Sequence, residues 1–210
     1  KALIGYFTIA AIGLLSIALI YDPTSYDGRN AFTWAQFGMA PPTLIFVAAA
    51  AFNLKAHKNT VGNLDWQDPA LLSLILSVLV FGLGGYLGMF VDGADTRTPA
   101  HYHGVIGGVN LAFIGLFFCF LYPVIGTVCK RTRSLTALIW CYAVGQTFHS
   151  LGLFLAGGYG APRKTAGDDQ GIEALGAQVG LYMMGVGALV AVIGGVMFIW
   201  IAARLLRQSK

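Results

Sequence analysis

The sequence predicts an all-α, polytopic transmembrane bundle of six spans with both termini cytoplasmic. Three observations carry that reading. The apolar set makes up 57% of 210 residues and charged residues only 10%, with 28 glycines besides. A soluble domain carries about 25% charged residues, so this chain has too few to coat a 22.3 kDa globule. Mean hydropathy is +0.71. A soluble enzyme and a disordered chain are both excluded, and lipid is the expected solvent for most of the protein.

A span needs roughly 20 mostly apolar residues to cross the hydrocarbon. Six stretches qualify: Ala2–Tyr21, Phe37–Leu54, Ala70–Val91, His101–Pro123, Leu135–Gly157 and Val179–Ala203. In lipid the backbone must satisfy itself, so each is a helix. The first has no basic leader beyond Lys1 and no evident cleavage site, and reads as a true span. With Lys1 where an initiator methionine would stand, the chain is expected to be processed or part of something longer. Pro41-Pro42 should bend or delay the second helix. Residues 22–36, 92–100 and 158–178 read as loops.

Loop charge sets the orientation. Lys1, Lys55, Lys58, Lys130, Arg131, Arg133, Arg204, Arg207 and Lys210 share one side with Asp65 and Asp68. The remaining acids, with Arg29, Arg97, Arg163 and Lys164, lie on the other. The first side is cytoplasmic by this pattern, and the second periplasmic. The net charge of +4 comes from loop ends and forms no nucleic-acid patch. Cys119, Cys129 and Cys141 make neither CxxC nor CxxCH, which excludes a zinc ribbon and covalent c-type haem attachment. Cys119 and Cys141, inside apolar runs, are expected to be packing residues. Glycines crowd the third and fourth spans (Gly82, Gly84, Gly85, Gly88, Gly104, Gly107, Gly108). Close helix packing explains them, and a flat macrocycle between helices needs small neighbours too.

Ionisable residues inside spans are functional candidates by default. His101 and His103 open the fourth span. Two positions along a helix rotate about 200°, so the imidazoles leave opposite faces and suit two separate partners rather than one chelated metal. His149 lies in the fifth span. Its depth differs from that of His103 by roughly 7 Å, tolerable for two axial ligands of one haem iron. A hydrogen bond to a neighbouring helix is the competing reading of His149. His57, beside Lys55 and Lys58, is expected to be a solvated loop residue. Arg163 and Lys164 fall at the same end as His101 and His103. Arginine grips carboxylates bidentately and lysine acts as a point charge, so both suit haem propionates. No carboxylate lies within a span, which argues against a transporter.

At Phe81-Gly82-Leu83-Gly84-Gly85-Tyr86-Leu87-Gly88, Asp95, Ala100-His101-Tyr102-His103 and Gly160-Ala161-Pro162-Arg163-Lys164, the chain resembles the C-terminal half of subunit I of the haem–copper oxidase superfamily. The resemblance implies that His101 is the proximal ligand of a high-spin haem. It implies that His103 is one axial ligand of a low-spin haem, with Arg163 and Lys164 on propionates. His149 has no clear counterpart. The copper-ligand histidines of the family are absent, residues 22–43 holding no histidine, so no copper centre is expected from this chain alone.

The expectation is therefore a b-type haem subunit of a respiratory-type complex in a bacterial cytoplasmic membrane. It would pass electrons between a periplasmic cytochrome or similar carrier and quinone or another haem, beside other membrane subunits. Two alternatives stay open. One is a catalytic oxygen or nitric oxide reductase core completed by another subunit. The other is a haem-free structural subunit.

Overall fold

The computed structural model describes residues 2–61, 65–91, 93–126, 132–165, 167 and 172–208. Contacts divide the chain into two compact units, Lys1–Leu64 and Asp65–Lys210. The described residues are mostly helical and hold no strand; a lone β-bridge joins Asp95 to Pro162. Five helical runs are long and apolar enough to cross a membrane. These are Tyr26–Ala56, Pro69–Gly88, Arg97–Val124, Arg133–Gly158 and Leu175–Arg207, beside a shorter apolar helix, Ile4–Ile20. Such helices match, in length and composition, those of an integral membrane protein.

The first unit holds α1 (Ala2–Ile20), α2 (Tyr26–Ala35), a 3₁₀ turn (Gln36–Met39) and α3 (Ala40–Val61). The stretch expected as a loop before the second span is largely α2. Ser25 caps it, accepting from the Gly28 amide at 2.9 Å, while Asp22 closes the turn ahead by accepting from Thr24. Asp27 and Arg29 thus sit in a helix. Pro41 and Pro42 do not delay the helical run, which reaches back to Tyr26; they change its winding, a 3₁₀ turn (Gln36–Met39) leading into them in the first turn of α3. α3 then runs on through Lys55 to Val61, so the backbone of His57 is helical and not in a loop; its side chain lies outside the described set.

The second unit contains α4 (Pro69–Gly88), α5 (Arg97–Leu116), a π-turn (Phe117–Leu121), α6 (Tyr122–Val124), α7 (Arg133–Gly158) and α8 (Leu175–Gln208). Asp68 caps α4, accepting from the Ala70 and Leu71 amides at 3.0 Å, with Pro69 at the first helical position. Thr132 caps α7 through Leu135. The π-turn lies just ahead of Pro123, whose ring would clash with the carbonyl four residues back in a regular helix; widening the turn carries the span past it. Cys119 sits on that turn, exposed rather than packed, while Cys141 is half-buried; Cys129 is outside the described residues.

The core runs along α4, α5 and α7. Leu76, Leu111, Phe118, Leu135, Leu138 and Ile139 are nearly or fully buried. Phe118 stacks on Tyr122 with centroids 5.8 Å apart, and the buried Tyr122 hydroxyl donates to the Ala202 carbonyl of α8 at 2.6 Å. Glycines let the backbones meet. A Cβ on Gly84 of α4 would stand 2.3 Å from the Val105 nitrogen of α5, and one on Gly187 of α8 2.3 Å from the His149 nitrogen of α7.

Candidate functional site

α5 begins at Arg97, four residues ahead of the expected start, so His101 and His103 lie inside the helix and do not open it. They diverge as the rotation requires. His101 turns to α4, its Nδ1 2.8 Å from the Gly84 carbonyl oxygen. A carbonyl only accepts, so Nδ1 carries a proton, and of the two neutral tautomers this is the one with its lone pair on Nε2. The α4 glycines make this possible: a Cβ on Gly88 would lie 2.5 Å from that same Nδ1.

His103 turns to α7 and meets His149, ring centroids 4.4 Å apart at an interplanar angle of 73°. The expected 7 Å offset shrinks because both helix ends move. Counted from Arg97 and Gly158, the two residues sit six and nine positions in, a difference of about 4.5 Å. His149 Nδ1 lies 3.2 Å from the Met184 carbonyl oxygen of α8, which fixes its proton as at His101. The hydrogen bond to a neighbouring helix, offered by sequence as the alternative to ligation, is therefore present. The two are compatible, since a ligating imidazole ordinarily donates through its other nitrogen.

Whether these rings suit a haem iron is a question of spacing. Two imidazole nitrogens each about 2 Å from one metal put their ring centroids roughly 6 Å apart. His103 and His149 stand closer than that, so one ring must swing aside before iron fits between them. His101 is free of that constraint. Among the described residues no three His, Cys, Asp or Glu side chains converge as a metal site, a condition haem with one or two axial ligands does not need.

The seam beside the histidines is polar. Gln146 Oε1 and Ser150 Oγ on α7 are buried without hydrogen-bond partners among the described residues, facing Gly107 and Gly104 of α5. One turn beyond Gly107 and Gln146, Asn110 donates to the Tyr142 hydroxyl at 2.8 Å.

Arg163 and Lys164 lie at the expected end. The 161–163 stretch is strapped to the approach to α5: the Thr96 amide donates to the Ala161 carbonyl at 3.1 Å and the Arg163 amide to that of Ala94 at 3.4 Å. Arg163 is half-buried, and Lys164 is exposed in a left-handed conformation with φ 62°. Neither side chain reaches a histidine or an acid among the described residues.

Sequence reading missed the clasp that holds this mouth together. Arg97 clamps Asp95 through Nε at 2.8 Å and a guanidinium nitrogen at 2.6 Å, and its own amide donates to Asp95 Oδ1 at 2.8 Å. Thr96 Oγ1 donates to the Leu153 carbonyl of α7 at 2.7 Å. Burial raises the affinity of the Asp95 carboxyl for a proton, but the hydrogen bonds and charge of Arg97 outweigh it and hold the group below the usual carboxylate value. The Asp95-Thr96-Arg97 spacing was the available signal; its partners on α7 were not visible in sequence.

No family model matches the chain. It is 31% identical over 141 residues to an uncharacterized protein, RP382, of Rickettsia prowazekii, covering 62% of this chain and 27% of that protein. It is 33% identical over 104 residues to an uncharacterized protein of Aquifex aeolicus, covering 49% of this chain and 25% of that one. The chain thus spans about a quarter of the length of the curated relatives it matches.

Proposed function

We propose that this chain is a haem-binding membrane subunit that relays electrons. The reading is supported above all by His101, whose Nδ1–H is anchored on the Gly84 carbonyl so that Nε2 is kept as a lone pair. His149 is prepared in the same way by Met184, beside His103. His101 would hold iron on one face of α5, and His103 or His149 on the other. A b-type haem held there would supply one-electron chemistry at a potential set by its ligands and surroundings. Arg163 and Lys164 would meet its propionates, and the apolar helices would keep water away. Both termini would be cytoplasmic across six spans of a bacterial inner membrane, with the histidines towards the periplasm. A periplasmic cytochrome and quinone or a second haem would be the redox partners.

His103→Ala should remove a low-spin haem band from the reduced-minus-oxidised spectrum of the purified protein, and His101→Ala should leave that band in place. A colourless wild-type protein without stoichiometric iron sinks the reading and leaves the structural-subunit alternative.

A second reading, a reductase core completed by another subunit, draws on the separation of His101 from the other two rings. A five-coordinate iron at His101 would bind carbon monoxide, and His101→Ala would abolish that spectral shift.

A further inference from the structure

Two cavities of the second unit share one wall, the indole of Trp140 on α7. The outer one, about 530 Å³, is lined by Gln67, Thr132, Arg133, Thr136, Ala137 and Trp140. It sits where α4 and α7 begin. The inner one, about 320 Å³, runs between α4 and α7 along Leu76, Leu79, Leu83, Val144 and Phe148. From Trp140 to Phe148 it descends about 12 Å along the helix.

We propose that these cavities form one binding site for an anionic glycerophospholipid. Its phosphate would meet Arg133, and one acyl chain would pass Trp140 into the α4–α7 furrow. The order of side chains along α7 matches the order of groups in such a lipid. A cation and hydroxyls stand at the helix start, an amphipathic indole seven residues in, and only apolar walls beyond, apart from the inward-bonded Thr147. Arg133 has no acidic partner among the described residues. The nearby acids are turned to backbone: Asp68 accepts from the Ala70 and Leu71 amides and Asp65 from that of Gln67. A free phosphate shares the headgroup chemistry but would leave the furrow unfilled, which favours the lipid.

Brominated phosphatidylglycerol titrated onto the purified full chain in neutral detergent tests the proposal. The Trp140 component is taken as the difference from Trp140→Phe. It should be quenched saturably, and brominated phosphatidylcholine should need several times more lipid. Arg133→Gln should weaken the phosphatidylglycerol effect about fivefold, the worth of one cation near a membrane surface. Arg204→Gln, which removes a cation of the same sequence-assigned side outside the cavity, should change it less than about twofold. Millimolar inorganic phosphate should not displace the lipid. Equal binding of the two lipids, equal effects of the two arginine variants, or full displacement by phosphate would each overturn the proposal. Loss of haem with lipid binding retained would leave it standing.

Discussion

At the scale of residues, the firmest electrostatic contact among the described residues is the clasp of Arg97 on Asp95, with the two side chains 26% and 12% exposed. Its pH dependence follows from sign. The folded carboxyl titrates below its ordinary value, so its stabilisation is complete above about pH 4 and disappears as pH falls through the folded value. Asp95→Asn should therefore cost about 1–3 kcal/mol at neutral pH, the usual worth of hydrogen bonds to a charged group. Thermal unfolding in detergent should show the wild type losing that advantage over the variant below pH 4. Unchanged relative stability across that range would mean the clasp contributes nothing. The histidines teach a related lesson: their sidedness was legible from spacing alone, but the choice of Nδ1 as the donor in His101 and His149 rests on Gly84 and Met184, 17 and 35 residues away.

At the scale of elements, glycines with the same sequence context play different parts. Gly84 and Gly85 are adjacent on α4, yet a Cβ on Gly84 would strike the backbone of α5 while one on Gly85 meets nothing within 4 Å. Gly85→Ala should be neutral or stabilise by up to about 1 kcal/mol through helix propensity. Gly84→Ala should destabilise by about 1–3 kcal/mol, as expected when extra volume is forced into a packed contact. It should also disturb His101, whose anchor is the Gly84 carbonyl. Unfolding midpoints of the two variants, measured side by side, decide this; equal midpoints would remove the close-packing account. At Pro41 and Pro42 the helical run passes from a 3₁₀ turn into the first turn of α3 rather than starting late. At Pro123 the span instead continues by a π-turn, because the Tyr122 hydroxyl and the Phe118 stack hold that end in the core.

At the scale of the whole molecule, the division of charge between loops predicts sidedness. In a background with the native cysteines replaced by alanine, Gln208→Cys should react with an impermeant maleimide only from the cytoplasm, and Glu173→Cys only from the periplasm. Labelling of both from one side would overturn the proposed topology. Helical character, most span positions and the polar end carrying His101, His103, Arg163 and Lys164 were all readable, because lipid imposes length and hydropathy locally. Helix ends were less so. α2 and the extension of α3 through His57 follow from capping and propensity in stretches that composition alone marks as loop.

What the chain determined by itself is a set of apolar helices and the opposite faces taken by two histidines, since both follow from periodicity along one backbone. Only the folded arrangement decided that His103 meets His149 at 4.4 Å, that two carbonyls orient the rings at His101 and His149, and that Asp95 joins the mouth of α5 to the loop after α7. Those contacts depend on how closely neighbouring helices approach, which glycine permits but whose partner and register it does not specify.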